Sequence, residues 1–85
     1  MRKSTEFQTA AVLADIRPGG AAVVTALHRI DPLLRRRLND LGVAEGSRLT
    51  VRRFGPFGGP LTFECAGQLV GIRRFEASRL EVART

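Results

Sequence analysis

Proline and glycine interrupt this chain so often that no long element fits between them. Arg17-Pro18-Gly19-Gly20, Gly42, the run Phe54-Gly55-Pro56-Phe57-Gly58-Gly59-Pro60, and Gly67 each cut an apolar pattern. Pro removes a backbone donor and Gly gives no side chain to pack, so each cluster ends what precedes it. The pieces between are short, and most alternate. In "SRLTVRRF", Leu49 and Val51 face one way while Arg48, Thr50 and Arg52 face the other. In "LTFECA", Leu61, Phe63 and Cys65 alternate with Thr62 and Glu64. "LVGIRR" sets Val70 and Ile72 on one side, and "RLEVA" does the same with Leu80 and Val82. "AAVVTALHRI" is rich in β-branched residues, with Val24 and Leu27 inward and an imperfect alternation that predicts a bulge. A period of two is the signature of half-buried strands.

One stretch has a different period. In "DPLLRRRLNDLGV", Leu34, Leu38 and Leu41 recur at the spacing of one helix face. Asp31 suits the N-cap and Pro32 the first helical position. Gly42 suits the left-handed residue that closes a helix, with Val43 as the apolar residue beyond it. The helix is predicted at about residues 32–41. "TAAVLADI" is predicted to make a helical turn packing Val12, Leu13 and Ile16. Gly67-Gln68 is predicted as a tight turn and "FEAS" as one turn of helix. The sum is an all-β fold: about five short strands closing into a small barrel, with one inserted helix. Closure removes edges that so small a protein cannot otherwise protect. Residues 1–10 are predicted to be a flexible segment and 11–85 the single domain.

Length fits that picture. A chain of 85 residues holds one core and buries about 60% of its unfolded surface. Its formal net charge is +6, with 14 Lys and Arg, all but Lys3 arginine. Such a chain is drawn to anionic partners without specifying which. A single cysteine, Cys65, makes no internal disulfide. Glu6 and Asp15 interrupt any signal-peptide core, and no uncharged run is long enough to span a bilayer. The expectation is a cytoplasmic protein without membrane insertion.

Residues in sequence order also resemble a known family. "RRRLNDLGVAEGSRLTV" is similar to the "RL-x-x-LG-x-x-x-G-x-x-V" centre of the FeoA family. "VLADIRPGGAAVV" resembles its opening "L-x-x-L-x-x-G", "FGPFGGP" its "P-x-G-D-P" loop, and "LVGIRRFEASRLEV" its closing "a-L-R-x-x-E-A-x-x-I-x-V". The resemblance runs from about Val12 to Val82. It implies an SH3-like barrel and an accessory role, not an enzyme, in bacterial ferrous iron uptake. The partner it implies is the cytoplasmic GTPase-bearing region of the ferrous iron permease FeoB. It also brings a family label of transition-metal binding. Gly59 stands where the family often has Asp, which removes any role that needs a carboxylate in that loop. The same domain type occurs at the C-terminus of metal-dependent repressors, so a barrel of metal-regulator or nucleic-acid-binding type is the alternative. A module that only self-associates is a third.

The residues themselves bear on each reading. At about 100° per helical residue, Arg35, Arg36 and Arg37 lie at about 100°, 200° and −60° from Leu34, so they share no face. Arg35 and Arg36 are predicted to point outward, Arg36 within reach of Asp40, and Arg37 to lay its stem along the core edge. A nucleic-acid module of this size usually adds stacking aromatics. Here there is no Tyr or Trp, and nucleic acid is not the expected partner. A structural zinc site needs four Cys or His ligands. This chain has His28 and Cys65, the first expected at the surface and the second in the core. They are weak candidates, with Glu64, Asp31 or a partner's ligands to complete a shared site, and no cofactor is expected beyond a weakly held transition metal such as iron. No nucleophile–base spacing and no phosphate-binding loop is present. Glu76 is expected to pair locally with Arg73 or Arg74.

That leaves the loop. Phe54, Pro56 and Phe57 lie in a connection too short to bury all of them. A Phe there either folds back as a lid on the barrel or stands out as an apolar anchor for a partner. Phe54, Pro56 and Phe57, with Arg52 and Arg53 beside them, are the predicted partner-binding residues. Arg35 and Arg36 are the second choice.

Overall fold

The computed structural model describes residues 10–85, and every alternating segment of the sequence pairs as a strand. The elements run β1 (Ala10–Val12), β2 (Ala21–Ala26), α1 (Pro32–Asp40), β3 (Arg48–Phe54), β4 (Leu61–Cys65), β5 (Gln68–Ile72), α2 (Arg74–Ala77) and β6 (Glu81–Arg84). Apart from Ala10, the flexible segment predicted at 1–10 lies outside the described residues. One antiparallel sheet holds all six strands in the order β1-β6-β2-β3-β4-β5.

Register keeps the apolar set on one face. Val51 sits opposite Phe63, Phe63 opposite Val70, Leu61 opposite Ile72, and Val24 opposite Val82. All of these are buried, in one cluster with Leu49, Cys65 and Leu80. Each such side chain contributes roughly 1.5–3 kcal/mol by leaving water. The bulge anticipated in β2 is present between Val24 and Ala26, against β6. A second bulge falls in β3 between Val51 and Arg53. It breaks the alternation, so Arg52 and Arg53 are both exposed.

The barrel is closed by packing at its seam. β1 and β5 end the strand order, and the 3₁₀ turn Leu13–Asp15 that follows β1 packs against α2, which follows β5. Leu13 and Ala77 are both fully buried there. The helical turn predicted for "TAAVLADI" is thus half right. Ala10–Val12 is a strand, paired to β6 with Ala11 opposite Val82, and only Leu13–Asp15 turns. Val12 is half-exposed, while Leu13 and Ile16 are buried as expected. The β4–β5 turn sits one residue earlier than predicted. Ala66 and Gly67 both take positive φ, 52° and 82°, the geometry of a two-residue hairpin.

α1 follows its caps. Asp31 accepts from the N–H groups of Leu33 and Leu34 at 3.0 and 3.4 Å. At the other end Gly42 has φ 89°, its N–H donates to the Asn39 carbonyl, and the Val43 N–H donates to that of Leu38. This is a Schellman closure, with Leu38 and Val43 completing its apolar contact in the core. Leu34 and Leu38 are buried and Leu41 only half so. The buried stripe is therefore centred between Leu34 and Leu38, about 20° from Leu34, which sets Arg35 and Arg37 equally to either side. Arg35 is half-buried and Arg37 exposed, the reverse of the predicted pair, while Arg36 points outward as expected.

Candidate docking surface

The six residues between β3 and β4, 55–60, form a closed platform. Gly55 N–H donates to the Pro60 carbonyl at 2.7 Å and Gly59 N–H to the Pro56 carbonyl at 2.9 Å. Pro56 presets one φ of the 3₁₀ turn Pro56–Gly58. The glycine at 59 is required by close approach, because a Cβ there would lie 2.9 Å from the Pro56 carbonyl oxygen. The departure from the family's usual Asp is therefore matched by the loop's own backbone.

The two loop phenylalanines part company. Phe54, the last residue of β3, is half-buried against the core, and the Arg74 guanidinium lies over its ring at 4.4 Å from the centroid. Phe57 stands fully clear, with a relative exposure of 104%. Its backbone is left-handed, φ 55° and ψ 44°. A bulky residue in that region is strained by about 1–2 kcal/mol. The strain is held by the two hydrogen bonds that close the loop. Pro56 is exposed beside it.

The basic residues nearby differ in freedom. Arg52 is engaged: its Nε donates to Glu64 Oε1 at 2.9 Å across the β3–β4 pair. Glu64 is thereby held as well. Arg53 is exposed, with Thr62 opposite it in the ladder. Arg36 and Asp40 do not form an ion pair among the described residues. The ion pairs there are Arg52–Glu64 and Arg29–Glu81, and the His28 Nε2 lies 3.7 Å from the same Glu81 carboxylate. Glu76 does pair locally, but with a backbone group: the Arg73 N–H donates to its Oε1 at 2.8 Å. The Arg74 side chain goes to Phe54 instead, and Arg79 lies toward Phe75, 5.9 Å from its ring centroid.

Phe75 is a surface residue that the sequence pattern did not single out. It is 55% exposed and borders two clefts. One is an open groove of about 740 Å³ between the loop and α2, lined by Ala14, Gly58, Gly59, Pro60, Arg73, Arg74, Phe75 and Ser78. The other lies toward the start of α1, beside Ile30 and Asp31. Phe75 lies two positions before the buried Ala77, on the other side of the turn, so its exposure could be read only once α2 was docked. Leu33 and Leu69 are also exposed apolar residues, each away from this groove.

The possible metal ligands do not converge. Cys65 is buried in the core, where it behaves as a small apolar residue. His28 is exposed near Glu81, and Asp31 is spent on capping α1. Among the described residues no group of three His, Cys, Asp or Glu side chains lies together. The donors among the described residues thus do not assemble a transition-metal site. No helix of the described residues is long and apolar enough to cross a membrane.

Fold and surface together define a small SH3-like barrel module that offers its exterior and not an internal cavity. A model of the FeoA domain matches residues 12–84, and the chain belongs to the FeoA family. Among solved structures, the FeoA protein of Chlorobium tepidum is 40% identical, with a TM-score of 0.81 over 86% of this chain and 69% of that one. FeoA of Stenotrophomonas maltophilia, solved with zinc and described as a prokaryotic SH3 domain protein, is 31% identical. It matches with a TM-score of 0.64 over 84% of this chain and 87% of its own. A manganese-dependent transcriptional repressor shares the fold at 23% identity and a TM-score of 0.79, with this chain spanning 43% of its length. Among proteins of curated function, none matches the chain.

Proposed function

We propose that this chain is a cytoplasmic accessory protein of ferrous iron uptake, docking on the GTPase-bearing cytoplasmic region of the permease FeoB. Membership of the FeoA family supports the pathway. The S. maltophilia relative is described as a candidate ferrous iron transport activating factor. The observation that carries the docking reading is Phe57, a fully exposed aromatic on strained backbone held by a closed loop. A rigid anchor loses little entropy on binding. Docking would regulate the permease only to the extent that this chain binds one of its conformations more tightly than the other. No chemistry is asked of the chain itself.

Phe57→Ala tests the reading. Titration of the purified FeoB cytoplasmic region with wild-type and variant chains should show the variant weaker by about 2 kcal/mol, roughly thirtyfold. Its melting temperature should stay within about 2 °C of wild type, since the ring packs on nothing in the fold. Equal binding by both chains would refute this docking mode.

A further inference from the structure

The groove between the 55–60 loop and α2 has a chemistry of its own. Two arginines, Arg73 and Arg74, line it, and the remaining lining is Ala14, Gly58, Gly59, Pro60, Phe75 and Ser78. No carboxylate is among them. The contrast is the groove of similar size around Arg52 and Arg53, where Glu64 is part of the lining and already takes up Arg52. Arg74 is also preorganised. Its guanidinium lies over the Phe54 ring at 4.4 Å, and its Nε is buried without an acceptor among the described residues. A cation fixed by stacking in an apolar surrounding keeps its charge undiminished by water on one side. An arginine of this kind suits planar anions, carboxylates above all.

We propose that this groove seats an acidic peptide segment of the docking partner. A carboxylate of the segment meets Arg74, with Arg73 at the rim, and an apolar side chain beside it lies against Phe75 and Pro60. The inference rests on the docking function above and names the chemistry of what is docked. Charge complementarity selects the occupant: a groove with two cations and no anion in an otherwise apolar wall favours a segment carrying both Asp or Glu and an apolar residue.

The test uses the full chain and a short soluble peptide of alternating glutamate and leucine, with a matched peptide in which glutamine replaces glutamate. Amide shifts of the isotope-labelled chain report where each binds. The acidic peptide should perturb Gly58, Gly59, Phe75 and Ser78 and bind at least tenfold more tightly than the glutamine peptide. Arg74→Gln should weaken it about tenfold, while Arg48→Gln, the same loss of charge at an exposed position outside the groove, should change it less than twofold. Ser78→Glu, at an exposed position, places a like charge in the groove without touching the core and should weaken binding as much. It serves if Arg74→Gln fails to fold. Equal loss in Arg48→Gln and Arg74→Gln would overturn the proposal, because diffuse attraction to a basic protein would then explain the binding. So would shifts confined to α1, or a single-stranded oligonucleotide that displaces the peptide from the same residues at equal charge concentration. The two readings fail separately. If the FeoB region binds but neither Arg74→Gln nor Ser78→Glu weakens it, the groove is wrong and docking stands. If the peptide seats as described but the FeoB region does not bind, the groove stands and that partner is wrong.

Discussion

The arginine triplet on α1 and the lone Arg74 beside the 54–60 loop carry the same charge to opposite ends. Arg35, Arg36 and Arg37 belong to a helix in which every local rule is obeyed: an Asp31 cap, a proline start, a Gly42 finish. Three charges in a row look like a phosphate grip, yet they fan around the helix, and two of them, Arg36 and Arg37, are exposed. The 54–60 region breaks rules instead. It holds a bulky residue at positive φ, leaves an aromatic fully exposed, and stacks a buried-edge guanidinium on a half-buried ring. Local rules broken and held in place by surrounding structure mark function better than the number of charges does.

The largest expected effect lies in binding, at Phe57, where truncation should cost roughly thirtyfold in affinity for the partner. Phe54→Ala comes next, and its effect is on stability. Its half-buried ring packs on the core and carries Arg74, so denaturant melts should show a loss of about 2 kcal/mol, below the full value for a buried Phe. If Phe54→Ala left stability unchanged, the contrast between the two loop phenylalanines would collapse. Gly42→Ala should cost about 1–2 kcal/mol, since alanine must adopt φ 89° although nothing obstructs its Cβ. Asp31→Ala should cost about 1 kcal/mol through the lost cap. Both are read as shifts in melting temperature of about 4–8 °C per kcal/mol in a domain of this size. Smallest of all, Arg36→Ala should change stability by less than about 0.5 kcal/mol and leave partner binding intact. A large binding loss at Arg36 would reverse the comparison.

What could be read in advance was local. The bounds of α1 follow from Asp31, Pro32, Gly42 and Val43, all within a turn of the helix ends, and the helix stops one residue short of the predicted Leu41. The inward residues of β3, β4, β5 and β6 follow from alternation alone. β1 was missed because three residues, Ala10–Val12, carry no period; only their pairing with β6 makes them a strand. The same limit applies to the candidate surface. The loop was legible as a place where Phe54 and Phe57 could not both be buried, and the structure packs Phe54 against the core and leaves Phe57 exposed. Arg74 on Phe54 was not legible, because two hairpin connections intervene before the chain returns to that ring. Phe75 was hidden for the same reason, and Arg52 looked free until the register of β3 against β4 set Glu64 within its reach.

The most direct measurement is an amide shift map of the isotope-labelled chain on addition of the unlabelled FeoB cytoplasmic region. Perturbations are expected at Gly55, Phe57, Gly58 and Gly59 and along Arg73–Ser78, with Arg35, Arg36 and Arg37 unmoved. Perturbations centred on the arginine triplet, with the loop and α2 silent, would overturn this docking surface.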